Sequence, residues 1–75
     1  MNNPTSRQGA TPGAIARAEL IALSTEHARL MTSAHEALCL GHYAEAVGFQ
    51  KLSMRVACEL EIKTGNLARQ YYAKT

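Results

Sequence analysis

The chain has 75 residues, of which 47% are hydrophobic and 19% are charged, with a formal net charge of +2. This length allows one small domain, whose core must use small and aliphatic side chains because there is no Trp and only one Phe. The eight basic residues are scattered among six acidic ones, which argues against a dedicated nucleic-acid-binding face. The sequence has no run of 18 apolar residues, so we predict no transmembrane helix.

Residues 1–11 are polar and contain no apolar cluster, so we predict a flexible tail there. The same stretch lacks the apolar segment of a signal peptide, which favours a cytoplasmic protein. Thr11 is a good helix N-cap, and Pro12 suits the first helical position. No Pro or Gly follows between Ala14 and Leu40, which predicts one long helix over about 12–40 within a domain spanning 12–75. Ser24 and Thr25 can both act as caps, so a break there is left open.

The turn at Gly41-His42 is the centre of the predicted fold. Gly41 can adopt the positive φ that ends a helix, and apolar residues resume directly after it. A second helix over about 43–63 must therefore fold back, giving an all-α antiparallel helical hairpin. One apolar stripe of the first helix faces the second; it comprises Ala16, Leu20, Leu23, His27, Leu30, Ala34 and Leu38.

The second helix is apolar on two sides. At about 100° per residue, one side faces the first helix and comprises Ala46, Phe49, Ser53, Val56, Ala57 and Leu60. The other, which we call the second stripe, comprises Tyr43, Val47, Met54, Cys58 and Ile62. A two-helix hairpin needs only one buried face per helix. The second stripe is therefore covered either by the chain itself or by a second copy or another protein.

Thr64-Gly65-Asn66 predicts the end of the second helix. Residues 66–74 are long enough for a short third helix, which would fold back over part of the second stripe. With the second helix ending at 63, an unbroken first helix overhangs it by about two turns. That overhang carries Ile15, Leu20 and Ile21, which also need a cover.

Residues 30–58 resemble a single tetratricopeptide-repeat unit. Gly41, Tyr43 and Ala46 match its Gly-x-Tyr-x-x-Ala corner, and the small residues Ala34 and Ser53 suit its close helix packing. The resemblance implies a helical hairpin that binds protein.

The sequence contains one weak candidate for a metal site, near the predicted turn. His35, Cys39 and His42 have the spacing H-x3-C-x2-H, which places three ligand types near the turn, although a structural zinc site normally has four. Cys58 lies roughly 20 Å along the second helix, so it can neither complete this set nor form a disulfide with Cys39 within one hairpin. Cys39 could pair with His35 or His42 as a nucleophile, but nothing supplies an oxyanion hole or an orienting carboxylate at a defined spacing. No paired carboxylates and no glycine-rich phosphate loop are recognisable either. We therefore expect no cofactor and no enzymatic activity.

The C-terminal segment supports one alternative function. It mixes basic and aromatic side chains, a combination that can hold nucleic acid, in Arg69, Tyr71, Tyr72 and Lys74. A plasmid or phage accessory protein acting as a helical dimer on DNA or RNA would use it.

The sequence favours a protein–protein interaction module over this alternative. We predict a small adaptor or co-chaperone that forms a homodimer or binds a helical protein partner. The predicted partner-binding residues are Tyr43, Val47, Met54, Cys58, Ile62, Ile15 and Ile21.

Overall fold

The computed structural model describes residues 11–73, which form two α-helices joined by a tight turn. Helix α1 spans Pro12–Cys39, and helix α2 spans Tyr43–Ala73. No strand occurs within these residues, so the predicted all-α hairpin is confirmed. The predicted tail lies outside the described residues, except for Thr11.

Helix α1 begins as its sequence predicts. Thr11 has an extended backbone, and its Oγ1 accepts a hydrogen bond of 3.1 Å from the Ala14 N–H. This bond satisfies one of the free amides of the first turn, while Pro12 occupies a position where no amide is required. The helix then continues for 28 residues without a break at Ser24 and Thr25.

The turn is a Schellman motif. Gly41 has a φ of 76°, its N–H donates to the Leu38 carbonyl at 3.1 Å, and the His42 N–H donates to the Ala37 carbonyl at 2.8 Å. These bonds satisfy carbonyls at the end of α1 that have no partner within the helix. The His42 carbonyl then accepts from the Ala46 N–H at 3.0 Å, which starts α2 immediately.

The predicted third helix does not form as a separate element. Helix α2 continues through Thr64, Gly65 and Asn66 for a total of 31 residues. Gly65 does not have positive φ, and Leu67 and Ala68 beyond it are half-buried. The packing of these two residues outweighs the weak helix propensity of one glycine, which is only about 1 kcal/mol.

The longer α2 also corrects the predicted overhang of α1. At 1.5 Å per residue the two helices are about 42 and 46 Å long, so α2 runs beside α1 along its whole length. Leu20 accordingly lies in a groove lined by Lys63 and Leu67 of α2. The shortest extent of the Cα trace is 12 Å, which leaves no room for a third layer of helix.

The interface between the helices is narrow and made of small side chains. Its buried residues are Leu30, Ala34, Ala37, Ala46 and Ser53. The Ser53 hydroxyl donates to the Gln50 carbonyl at 2.8 Å, so its burial leaves no polar group without a partner. The predicted α2 face is confirmed, because its other members are half-buried.

The predicted α1 stripe is right except at its end. Leu38 was placed in the core, yet it is 45% exposed, and Ala37 is buried instead. The step of four residues from Ala34 to Leu38 rotates Leu38 to the edge of the interface, whereas a step of three brings Ala37 into it.

Candidate functional site, an exposed apolar surface and a histidine–cysteine pair

The second stripe lies on the surface of the hairpin. Tyr43, Val47, Met54 and Ile62 are between 47% and 68% exposed, and Cys58 is also exposed. A fold-back of residues 66–74 onto this stripe is excluded for the described part of the chain, because residues 66–73 are the end of α2. Whatever covers the second stripe must therefore come from outside residues 11–73.

The second stripe winds around α2 instead of running straight along it. Ile62 follows Tyr43 by nineteen residues, which at about 100° per residue is five full turns plus about 100°. Tyr43, Val47 and Met54 consequently lie on one side of the hairpin, beside the interhelical interface. Cys58 and Ile62 lie further round, toward the back of α2.

Helix α1 contributes two apolar residues to the side on which Tyr43, Val47 and Met54 lie. On two antiparallel helices that face each other, the same sense of helical rotation away from the buried face leads to the same side of the hairpin. Met31 and Leu38 are rotated in this sense and are 50% and 45% exposed. We call the combined surface the apolar flank; it comprises Met31, Leu38, Tyr43, Val47 and Met54.

Met31 and Leu38 are not among the partner-binding residues predicted from the sequence. The regular spacing of the α1 stripe places Leu38 in the predicted core, and that spacing does not include Met31. Their helical angles relative to Ala37 and Leu30 would have separated them from the core.

The five residues of the apolar flank carry no formal charge, and one charged residue, Lys51, lies at its outer edge on α2. Between Tyr43 and Met54, Gln50 lies on the side of the flank nearer α1, and Lys51, one helical turn beyond Val47, lies on the outer side. Along α1 from Ser24 to Leu38 the flank is bordered by His35. A surface that is apolar and depleted in charge has the composition of the centre of a protein–protein interface.

Ile15 and Ile21 do not join the second stripe. Both are exposed, at 55% and 59%, but they lie six residues apart on α1 and therefore point about 120° away from each other. The structure does not bring these two predicted partner-binding residues into one surface.

The three metal-ligand candidates are only partly brought together. Cys39 Sγ lies 3.6 Å from His35 Nε2 on the exposed side of α1. His42 turns instead to Glu45, with 3.6 Å between Nδ1 and Oε1. Among residues 11–73, no group of three or more His, Cys, Asp or Glu side chains is placed to hold a metal ion. Both cysteines are free.

The C-terminal basic and aromatic residues are on the surface of α2. Tyr71 and Tyr72 are each 68% exposed, with their rings edge to face at 5.4 Å between centroids. Arg69 donates a hydrogen bond to the Asn66 side chain, and Lys74 lies outside the described residues.

Two surface grooves run along the helices of the described part of the chain. A groove of about 190 Å³ between the two helices is lined by Ala16, Glu19, Leu20, Lys63, Asn66, Leu67 and Gln70. A second, of about 350 Å³, lies along α2 beside Cys58 and Ile62. Both are open depressions along helix surfaces.

Comparison of the chain with family models, with curated proteins and with solved structures gives no significant match. The resemblance to a tetratricopeptide-repeat unit therefore stays a prediction. No helix among the described residues has the length and apolar character needed to cross a membrane.

Proposed function

We propose that this chain is a small, non-enzymatic protein–protein interaction module of the adaptor or co-chaperone kind, and that it forms a homodimer through the apolar flank. The observation that carries the proposal is the exposure of Tyr43, Val47 and Met54 on a hairpin whose own interface buries mainly small side chains. The flank holds five of the twelve large hydrophobic residues that are exposed within residues 11–73, and such an apolar patch is typical of an interaction surface.

A second copy is the occupant that the apolar flank fits best. The five residues of the flank are uncharged and Lys51 lies at its outer edge, so two copies can meet in a two-fold symmetric contact that leaves both lysines at its rim. Both helices contribute to it, so its width is that of a hairpin and not of a single helix. Two hairpins packed in this way give a four-helix bundle, in which each helix buries a second face.

The energy available is sufficient for a weak to moderate dimer. A fully buried side chain of this kind contributes about 1.5–3 kcal/mol, and these side chains are already about half covered. Two copies of the five residues would then contribute about 10 kcal/mol. With association costs at the low end of their range, about 4 kcal/mol, about 6 kcal/mol remains, which corresponds to a dissociation constant of tens of micromolar.

Light scattering coupled to size exclusion tests this proposal with two matched variants. The double substitution Val47→Glu and Met54→Glu places charge on the apolar flank. Leu52→Glu is the control, because Leu52 is also exposed but is rotated to the opposite side of α2. We expect dimers of the wild type and of Leu52→Glu and a monomer of the double variant, with helical circular dichroism retained in all three.

A wild type that stays monomeric at concentrations well above the micromolar range would contradict the homodimer. Loss of the dimer in Leu52→Glu as well as in the double variant would contradict the assignment of the interface to the apolar flank.

The nucleic-acid alternative has less support. Arg69 is engaged with Asn66, and the apolar flank does not favour this alternative over the adaptor, because a helical dimer on nucleic acid would also use it. The observation in its favour is the exposed pair Tyr71 and Tyr72, which could stack on bases. Binding to DNA or RNA that weakens steeply with salt and on substitution of Arg69 and Lys74 would favour this alternative over the adaptor.

A further inference from the structure

We propose that His35 and Cys39 form a bidentate site for Zn²⁺ or a similar borderline transition-metal ion at the end of α1. The two residues are one helical turn apart, and their side chains already converge, with Cys39 Sγ 3.6 Å from His35 Nε2. This site lies on one chain and does not depend on the proposed homodimer.

The separation of the two atoms is the one that a single tetrahedral zinc ion needs. Zinc lies at about 2.3 Å from a thiolate sulfur and about 2.0–2.1 Å from an imidazole nitrogen, so at a tetrahedral angle the two ligand atoms are about 3.5–3.6 Å apart. In this conformation Sγ and Nε2 are therefore already at the distance that the ion requires.

The position on the helix also favours a cation. Cys39 is the last residue of α1, and the last turn of the helix carries no basic residue. The negative end of the helix dipole is thus not balanced by a Lys or Arg side chain. Zinc bound to one thiolate and one neutral imidazole retains a net positive charge, which this end of the helix stabilises.

The ligand chemistry selects the class of ion. One sulfur and one imidazole nitrogen suit Zn²⁺ and Co²⁺, whereas Mg²⁺ and Ca²⁺ prefer oxygen ligands. Binding replaces the Sγ–Nε2 contact with two bonds to the ion, and the thiol proton is released to solvent. Two coordination positions stay open to water or to a further ligand.

Titration of the full chain with Zn²⁺ against a chromophoric zinc indicator, under reducing conditions, tests the site. We expect His35→Gln and Cys39→Ser each to weaken Zn²⁺ affinity at least about tenfold, because either change removes the chelate. Cys58→Ser and His42→Gln are the matched controls and should leave the affinity unchanged. Co²⁺ should show a thiolate-to-metal charge-transfer band in the wild type and in Cys58→Ser, and no such band in Cys39→Ser.

Three results would overturn the proposal. One is a wild type that binds Zn²⁺ no more tightly than Cys39→Ser, and another is an equal loss of affinity in Cys58→Ser. The third is full affinity in His35→Gln, which would leave the thiol as a lone ligand. The charged double variant Val47→Glu and Met54→Glu should bind Zn²⁺ like the wild type, so failure of the homodimer and failure of this site are distinguishable.

Discussion

Gly41 is the residue on which the direction of the chain depends. Its φ of 76° lies in the left-handed region, and its amide donates one of the two hydrogen bonds that close the turn. An L-residue in this conformation places its Cβ too close to the backbone, at a cost of about 1–2 kcal/mol. The other described glycines do not have positive φ, so they do not share this constraint.

We predict opposite effects for the same substitution at two glycines. Gly41→Ala should lower the free energy of unfolding by about 1–2 kcal/mol because of its positive φ. Gly48→Ala should raise it by about 0.5–1 kcal/mol, because Gly48 lies inside α2 and a Cβ there meets no atom within 4 Å. Urea unfolding of the two variants measures both, and a stabilised Gly41→Ala would contradict the turn described here.

The small residues of the interhelical interface set how closely the helices pack. Ala46 is 1% exposed, and Ala34 and Ala37 are each 4% exposed, so no space remains for a larger side chain. We predict that Ala46→Leu destabilises the hairpin by about 1–3 kcal/mol through overpacking. Ala44→Leu, at an exposed position two residues away, should change stability by less than about 0.5 kcal/mol. Equal effects in thermal or urea unfolding would contradict the close packing.

At the scale of the elements, the continuity of α2 determines the packing in the half of the hairpin that lies away from the turn. Helix α2 passes through Gly65 and carries Leu67 and Ala68 back along the first half of α1. Without this extension, Ala16 and Leu20 would lose the neighbours that partly bury them. Tertiary packing along both helices therefore supports a segment whose local sequence favours a stop.

Gly65→Ala tests whether α2 is continuous. In a continuous helix the substitution should stabilise the protein by about 0.5–1 kcal/mol, since the added Cβ would meet only Arg69 Nη1 at an ordinary 3.7 Å. If Gly65 instead ended a helix with positive φ, the same change would destabilise the protein. Chemical unfolding and backbone chemical shifts of residues 60–73 distinguish the two cases.

The elements differ in how far their sequence specifies them. The cap at Thr11 and the stop at Gly41 are local signals, and both are used as predicted. Gly65 also predicts a helix end, as Gly41 does, but α2 continues through it because Leu67 and Ala68 pack against α1. In the candidate site, the second stripe was predictable from periodicity. The addition of Met31 and Leu38 was not, because it depends on which side of α1 adjoins that stripe.

At the scale of the whole molecule, the hairpin buries little apolar surface for its size. Only Leu30 among its larger side chains is buried within residues 11–73, while twelve large hydrophobic residues are exposed. A core of this size supplies only a few kcal/mol in a domain of fewer than about 80 residues. Much of the stability of the working molecule should therefore come from association.

This dependence predicts a melting temperature that rises with protein concentration. A second copy that binds only the folded hairpin shifts the unfolding equilibrium by mass action. We expect the wild type to melt at a higher temperature at about 500 µM than at about 5 µM, a range that spans a dissociation constant of tens of micromolar. The double variant Val47→Glu and Met54→Glu should melt at one temperature throughout. A wild-type melting temperature independent of concentration would contradict the prediction.

The central claim, that the apolar flank is the contact between two copies, is tested most directly by isotope-filtered NMR. A mixture of ¹³C-labelled and unlabelled chains reveals only contacts between different copies. The homodimer predicts intermolecular signals to the methyl groups of Met31, Val47 and Met54, and none to those of Ile15 on the opposite side of α1. A dimeric sample without signals at Val47 and Met54, or with signals at Ile15 instead, would contradict the account.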